Sequence, residues 1–149
     1  MGRRVVVTGG RAERDLAARV TGRVGAGATS LAGRLSVGAF VALLARAEAV
    51  VSNDTGPVHL ASALGVPTLA VFGPNTPVLY GPLAAGSRAF YRALPCSPCL
   101  TTTNYRSSRC RIHTCTASIP AGEVAGALER LLAPAWETER MARWPGPSF

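Results

Sequence analysis

The stretch Ser52-Asn53-Asp54-Thr55-Gly56-Pro57-Val58-His59-Leu60-Ala61-Ser62-Ala63-Leu64 narrows what this chain can fold into more than any other. Residues 47–51 before it are apolar except for Glu48 and read as a buried strand. A polar turn stops that strand, and an Ala/Leu-rich helix begins at once. Pro57 suits the first helical position, where its fixed φ is already helical and its missing N–H had no partner to lose. The amides of Thr55, Gly56, Val58 and His59 are then expected free at the helix N-terminus, where the helix dipole favours an anion. Gly56 leaves room for a ligand to approach the backbone. Strand, small-residue turn and helix together predict a phosphate-binding turn. Asp54 and Thr55 are also ordinary caps of a structural helix. As a carboxylate Asp54 repels phosphate, so its part is to hold the turn or to bond a sugar hydroxyl.

The chain continues Leu64-Gly65-Val66-Pro67-Thr68-Leu69-Ala70-Val71-Phe72-Gly73-Pro74-Asn75-Thr76-Pro77, with Tyr80-Gly81-Pro82 close behind. Over residues 5–133, and most specifically over residues 54–77, it resembles the ADP-heptose:lipopolysaccharide heptosyltransferase family of glycosyltransferases, family 9. The C-terminal lobe of that family carries a D-T/S-G-x-x-H-L-A-x-A-L-G-x-P-T-x-x-x-F/Y-G-P-T-x-P pattern; Asn75 stands where Thr is usual. The resemblance implies an α/β fold with a mainly parallel Rossmann-like sheet and flanking helices, an incomplete C-terminal lobe of a GT-B enzyme. It also implies a nucleotide-sugar donor, ADP-heptose or a relative.

Residues 4–8 read as a buried strand, followed by Gly9-Gly10 and a helix over residues 12–24 with Leu16, Ala17 and Val20 on one face. Residues 25–29 read as a turn and residues 30–34 as a short edge element. Ser36 caps a helix over residues 37–47. Residues 67–72 predict another buried strand, which runs into a Pro/Gly-rich loop, and residues 89–91 a further strand. In open parallel sheets ligands sit at the C-terminal strand ends, so the Gly9, Asp54 and Gly73 turns are expected on one rim. The candidate nucleotide-sugar contacts are Gly9, Gly10, Glu13, Leu35, Asp54, Thr55, Gly56 and His59. Of these, the resemblance places Glu13 at the ribose and Leu35 at the adenine; on residue type alone Glu13 is first-turn helix charge and Leu35 core. His59 either donates to a phosphate oxygen or is an interior histidine bonded to backbone. No catalytic residue is assigned.

All four cysteines, Cys96, Cys99, Cys110 and Cys115, fall in an insert over residues 95–116. A C-x-x-C pair with two further thiols reads as a tetrahedral structural site for zinc or iron, with disulfides and unliganded thiols as the rivals. Ser118 is expected to cap a last helix over residues 120–132, closing a domain of residues 1–133. Residues 134–149 form a tail with two Trp.

The net charge of +8 fits phosphate-bearing ligands. Its arginines are scattered without aromatic interleaving, so nucleic acid is not expected as a partner. No apolar run reaches bilayer length and no signal-peptide core opens the chain. These features suit a cytoplasmic protein, working at the inner face of the membrane if it contacts the membrane peripherally. The resemblance implies a glycan or glycolipid acceptor and a general base in an N-terminal lobe that this sequence does not contain. The chain is therefore expected to be a truncated product, a fragment or one half of a split enzyme. It should be inactive alone, bind nucleotide weakly and associate with an N-terminal lobe on a separate chain. The alternative is a non-catalytic nucleotide-binding or interaction module with a structural metal.

Overall fold

Strand β4, Thr68–Val71, is covered on both faces, and the elements around it follow from that burial. Its side chains alternate between faces. Leu69 packs with Phe90, Ala127 and Leu131, and Ala70 packs on the other side with Val58 and Phe72. A strand buried on both faces reads as a continuous apolar run, which is why residues 67–72 were legible as a strand. The computed structural model describes residues 3–101 and 107–133; the expected tail over residues 134–149 lies outside them.

The chain gathers into two compact units, residues 1–42 and 43–149. In the first, β1 (Val5–Val7) pairs in parallel with β2 (Ala28–Ser30), with Val5 opposite Ala28 and Val7 opposite Ser30. Between them lie a 3-10 turn, Arg11–Glu13, and helix α1, Arg14–Val24. Helix α2, Val37–Leu44, follows, and the Ser36 hydroxyl accepts from the Ala39 amide at 3.2 Å, as a capping serine should. Two expectations need correction here. The segment read as a turn ends in strand β2, whose Ala-Thr-Ser sequence carries no apolar alternation to announce it. Strand β1 is not buried either, because Val5 and Val6 are 42% and 41% exposed.

In the second unit β3 (Val50–Asn53), β4 and β5 (Arg88–Phe90) form a parallel sheet in the order β3-β4-β5. Val50 stands opposite Thr68, and Leu69 opposite Arg88. Helix α3, Gly56–Ala63, connects β3 to β4, and Gly65 in the left-handed region (φ 69°) closes its C-terminal end. The one-turn helices α4 (Pro77–Tyr80) and α5 (Thr114–Ala117) precede α6, Ala121–Leu131. Strand β3 begins later than expected and is only half-buried, with Val51 51% exposed. It is the edge strand of this sheet, and α6 packs on β4, so Val51 has no cover on its face.

The end of the chain also differs from expectation. Ser118 does not cap the last helix; it terminates α5, its amide donating to the Thr114 carbonyl at 2.9 Å. Pro120 holds the N-cap position of α6. Glu123 in the first turn of α6 pairs with Arg88 at 3.5 Å and with Arg92, fastening α6 to β5 and the residues that follow it. The carboxylate also suits the positive end of the helix dipole.

Gly73, just past β4, is fixed by close approach. A methyl group there would overlap the Thr116 side chain and stand 3.0 Å from the Cys115 sulfur. Gly73→Ala is therefore expected to destabilise the protein by about 1–3 kcal/mol through overpacking, seen as a lower urea midpoint. Gly22→Ala, in the interior of α1 with open space at the Cβ position, should instead add about 0.5–1 kcal/mol through helix propensity.

Candidate functional site

The parallel pairing of β3 with β4 continues beyond the strands, since the Asp54 amide donates to the Val71 carbonyl at 3.0 Å. One residue further, the Phe72 amide donates to the Phe90 carbonyl at 2.8 Å. The Asp54 turn and the Gly73 turn therefore leave the sheet at the same, C-terminal edge. That is the edge where open parallel sheets bind ligands. The Gly9 turn follows β1 of the first unit.

Thr55 holds the N-cap position of α3 in extended backbone (φ −148°, ψ 176°), but its side chain makes no cap hydrogen bond. Its hydroxyl turns back to the strand, donating to the Asn53 carbonyl at 3.2 Å and lying 3.4 Å from the Ser52 hydroxyl. Ser52 also donates to the Asn53 carbonyl, at 2.8 Å. Two hydroxyls thus hold the bend from the strand side, and no side chain satisfies the helix start. Residue type alone did not reveal this role of Ser52, because a serine at a strand end has many uses.

Two details differ from the sequence expectation. Gly56, not Pro57, is the first helical residue, with Pro57 second. The Val58 amide is not free: it donates to the Thr55 carbonyl at 3.0 Å in a tight first turn. The amide of Gly56 remains at the helix start, where the helix itself offers no acceptor. Thr55, Gly56 and His59 are exposed and Asp54 is half-buried. A Cβ on Gly56 would meet nothing within 4 Å, so the chain's own packing does not require a glycine there. Among the described residues no hydrogen bond or ion pair is made to the Asp54 carboxylate, so it does not hold the turn.

His59 sits on the surface, one turn into α3, with its ring edge-on to Tyr80 at 6.5 Å between centroids and 73° between planes. It is not an interior histidine. Tyr80 reaches it from α4, whose start is capped by the Thr76 hydroxyl accepting from the Val78 amide at 3.2 Å. Tyr80 follows closely behind the motif in sequence, but the pairing with His59 depends on where the Pro-rich loop returns. The edge thus offers a main-chain donor at a helix N-terminus, an imidazole that can donate to an oxyanion, and a carboxylate that can accept from hydroxyls.

A family model described as glycosyltransferase family 9 (heptosyltransferase) matches residues 1–108. The chain belongs to glycosyltransferase family 9. It is 42% identical over 97 residues to lipopolysaccharide heptosyltransferase 1 of Pseudomonas aeruginosa, a match covering 64% of this chain and 26% of that protein. It is 39% identical over 59 residues to lipopolysaccharide heptosyltransferase 2 of Escherichia coli, covering 40% and 17%. The solved structure of the Escherichia coli ADP-heptose lipopolysaccharide heptosyltransferase II superposes with a TM-score of 0.68 at 26% identity, over 88% of this chain and 37% of that one. A family 9 glycosyltransferase from Veillonella parvula shares the fold, with a TM-score of 0.70 at 23% identity. The parallel α/β architecture is thus that of the GT-B glycosyltransferases. The matches span 26% and 17% of the two curated heptosyltransferases just described.

The remaining candidate contacts of this family 9 chain lie in the first unit. Glu13 folds back on its own turn, and its carboxylate accepts from the Gly10 amide at 2.6 Å. Gly10 therefore spends its donor within the turn, and Glu13 has the helix-start role its residue type suggested. A Cβ on Gly9 would lie 2.9 Å from the same carboxylate oxygen, and the Gly9 carbonyl accepts from the Gly33 amide at 2.8 Å. Leu35 is half-buried between the turn at residues 32–34 and α2.

The four thiols do not assemble as expected. Among the described residues no three His, Cys, Asp or Glu side chains come together as a metal site. Cys115 is buried in α5 beside Gly73, Cys99 is half-buried, and Cys96 and Cys110 are exposed, with no disulfide between any of them. From α5 the Cys115 thiol packs against the Gly73 loop. The zinc or iron site read from the spacing is not supported by this donor set. No helix among the described residues is long and apolar enough to cross a membrane.

The Cys110 thiol is held below the ordinary thiol pKa by the His113 amide and then the Ile112 amide, which stabilise its thiolate. A lowered pKa extends the thiolate to lower pH. Cys110 is therefore expected to react with iodoacetamide at lower pH than an unperturbed cysteine thiol. Peptide mapping of alkylation rate against pH checks this, and Cys110→Ser should remove that component.

Proposed function

We propose that this chain is the donor-binding half of a heptosyltransferase-like enzyme, holding the diphosphate of an ADP-sugar at the start of α3. The observation that carries this reading is the helix start itself. It stands on the ligand-binding edge of a parallel sheet, carries no side-chain cap, and presents an open glycine inside the segment matched by the family model. Thr55 and Gly56 meet the phosphates through main-chain donors, His59 donates to a phosphate oxygen, and Asp54 accepts from a sugar hydroxyl. As the bond to the sugar breaks, charge builds on the departing diphosphate. The helix start stabilises it in the manner of an oxyanion hole.

The names of the relatives support ADP-heptose as the donor and a lipopolysaccharide or other glycan as the acceptor. None of the described residues at this edge is assigned the work of a general base. We infer that the base comes from a lobe other than the residues described, so that these residues bind donor without themselves supplying the base.

The test is a calorimetric titration of the wild type and of Gly56→Val with ADP, ADP-heptose and UDP-sugars. Because the Gly56 Cβ position is open, the valine should leave the fold intact by circular dichroism while weakening ADP-sugar binding by about tenfold or more, about 1.4 kcal/mol. Equal affinities would remove Gly56 from the site. Sugar transfer by the purified chain alone would overturn the need for a second lobe.

A further inference from the structure

The donor-site reading makes no use of the four cysteines, yet the thiol of one and the main-chain amide of another converge on one hydroxyl. The Cys99 thiol donates to the Ser108 hydroxyl oxygen at 3.4 Å, and the Cys110 amide donates to the same oxygen at 3.1 Å. Ser108 and Cys110 are exposed and Cys99 is half-buried, so a small oxidant reaches Cys110 directly and Ser108 can exchange its hydrogen bonds for water. Cys115 is buried beside Gly73 and Cys96 is turned to solvent; neither shares the Ser108 contact.

We propose that Cys99 and Cys110 form a reversible disulfide when the protein meets a small-molecule disulfide such as glutathione disulfide. The Cys110 thiolate attacks one sulfur of glutathione disulfide; that S–S bond breaks, one glutathione leaves as thiolate, and Cys110 carries the other in a mixed disulfide. Cys99 then gives its proton to solvent and attacks the Cys110 sulfur, expelling the second glutathione as thiolate. Two protein thiols are oxidised to one disulfide, and glutathione disulfide is reduced to two thiols.

The bridge has a consequence for the sheet edge. The amides of Cys99 and Leu100 both donate to the Pro74 carbonyl at 2.8 Å. Ser97 beside them donates to the Gly73 carbonyl and lies 3.1 Å from the Tyr91 hydroxyl. Residues 97–100 therefore strap the loop that follows β4, and joining Cys99 to Cys110 ties a second segment to that strap. The proposal stands on the convergence of the Cys99 thiol and the Cys110 backbone at Ser108 and does not depend on the donor reading.

The experiment equilibrates the full chain in glutathione buffers of graded oxidation, quenches with acid, blocks remaining thiols with N-ethylmaleimide and maps tryptic peptides. Cleavage after Arg92, Arg106, Arg109 and Arg111 separates Cys110 from the peptide holding Cys96 and Cys99. The expected product joins the peptide 93–106 to 110–111, in the wild type and in Cys96→Ser and Cys115→Ser, with two of the four thiols lost to blocking. Cys99→Ser and Cys110→Ser should each abolish it, while Cys99→Ser accumulates glutathione on Cys110. A bridge between Cys96 and Cys99, a glutathione adduct that persists on Cys110 of the wild type, or four blockable thiols throughout would each overturn the proposal.

Discussion

The two-sided burial of β4 is the constraint on which the second unit depends. Leu69 on one face and Ala70 on the other require separate covers, and α6 and α3 supply them. Each large side chain fully withdrawn from water there contributes about 1.5–3 kcal/mol. Because β4 is fixed from both sides, the strands that pair with it inherit its register. Asp54 is bonded to Val71 and Phe72 to Phe90. The candidate site thus sits at the end of a backbone fixed from both sides, although Thr55, Gly56 and His59 are exposed. Loops held by a rigid scaffold are a common place for binding groups.

At the turn itself, the hydroxyls of Ser52 and Thr55 are directed to the Asn53 carbonyl and not to the helix. A threonine at an N-cap usually satisfies one of the first amides, at a value of about 1 kcal/mol to the helix. Here that stabilisation is absent and the donor stays outward. Gly56 follows the same logic, since a larger residue would fit sterically and favour the helix more. Together these two departures from local helix optimisation single out the helix start as a place shaped by something other than folding.

Most of this was legible in the sequence where local chemistry and burial agree. The turn between β3 and α3 carries Pro, Gly and a hydroxyl in a fixed order, and β4 is apolar after Thr68, with both its faces covered. Where the two disagree, sequence and structure part. Strand β2 is polar and small, so no periodicity marks it, and the two valines that open β3 are only partly covered because the cover stops at β4. The cysteine spacing was visible, but α5 was not. That one-turn helix places Cys115 beside Gly73, while the Cys99 thiol and the Cys110 amide share the Ser108 hydroxyl. Spacing shows which cysteines are near in sequence, whereas the local fold decides what each of them touches.

The two units are stabilised unequally. In the first, the buried apolar side chains are Ala17 and Ala32, while Leu16, Val20 and Val24 at helical spacing along α1 stay between 41% and 53% exposed. Its order comes mainly from backbone pairing of β1 with β2 and from polar ties such as Arg14 to the Gly33 carbonyl at 3.0 Å. A backbone hydrogen bond contributes about 1 kcal/mol net, and ordering one residue costs about as much. Such a unit has little stability of its own without further apolar cover. The second unit, with Phe72, Phe90, Leu69 and Val58 withdrawn from water, does not share that weakness. The turn proposed to hold the donor lies in this better-stabilised unit, which matches the physical demand on a site of fixed main-chain amides. Their value to a charged ligand depends on their being in place before it arrives.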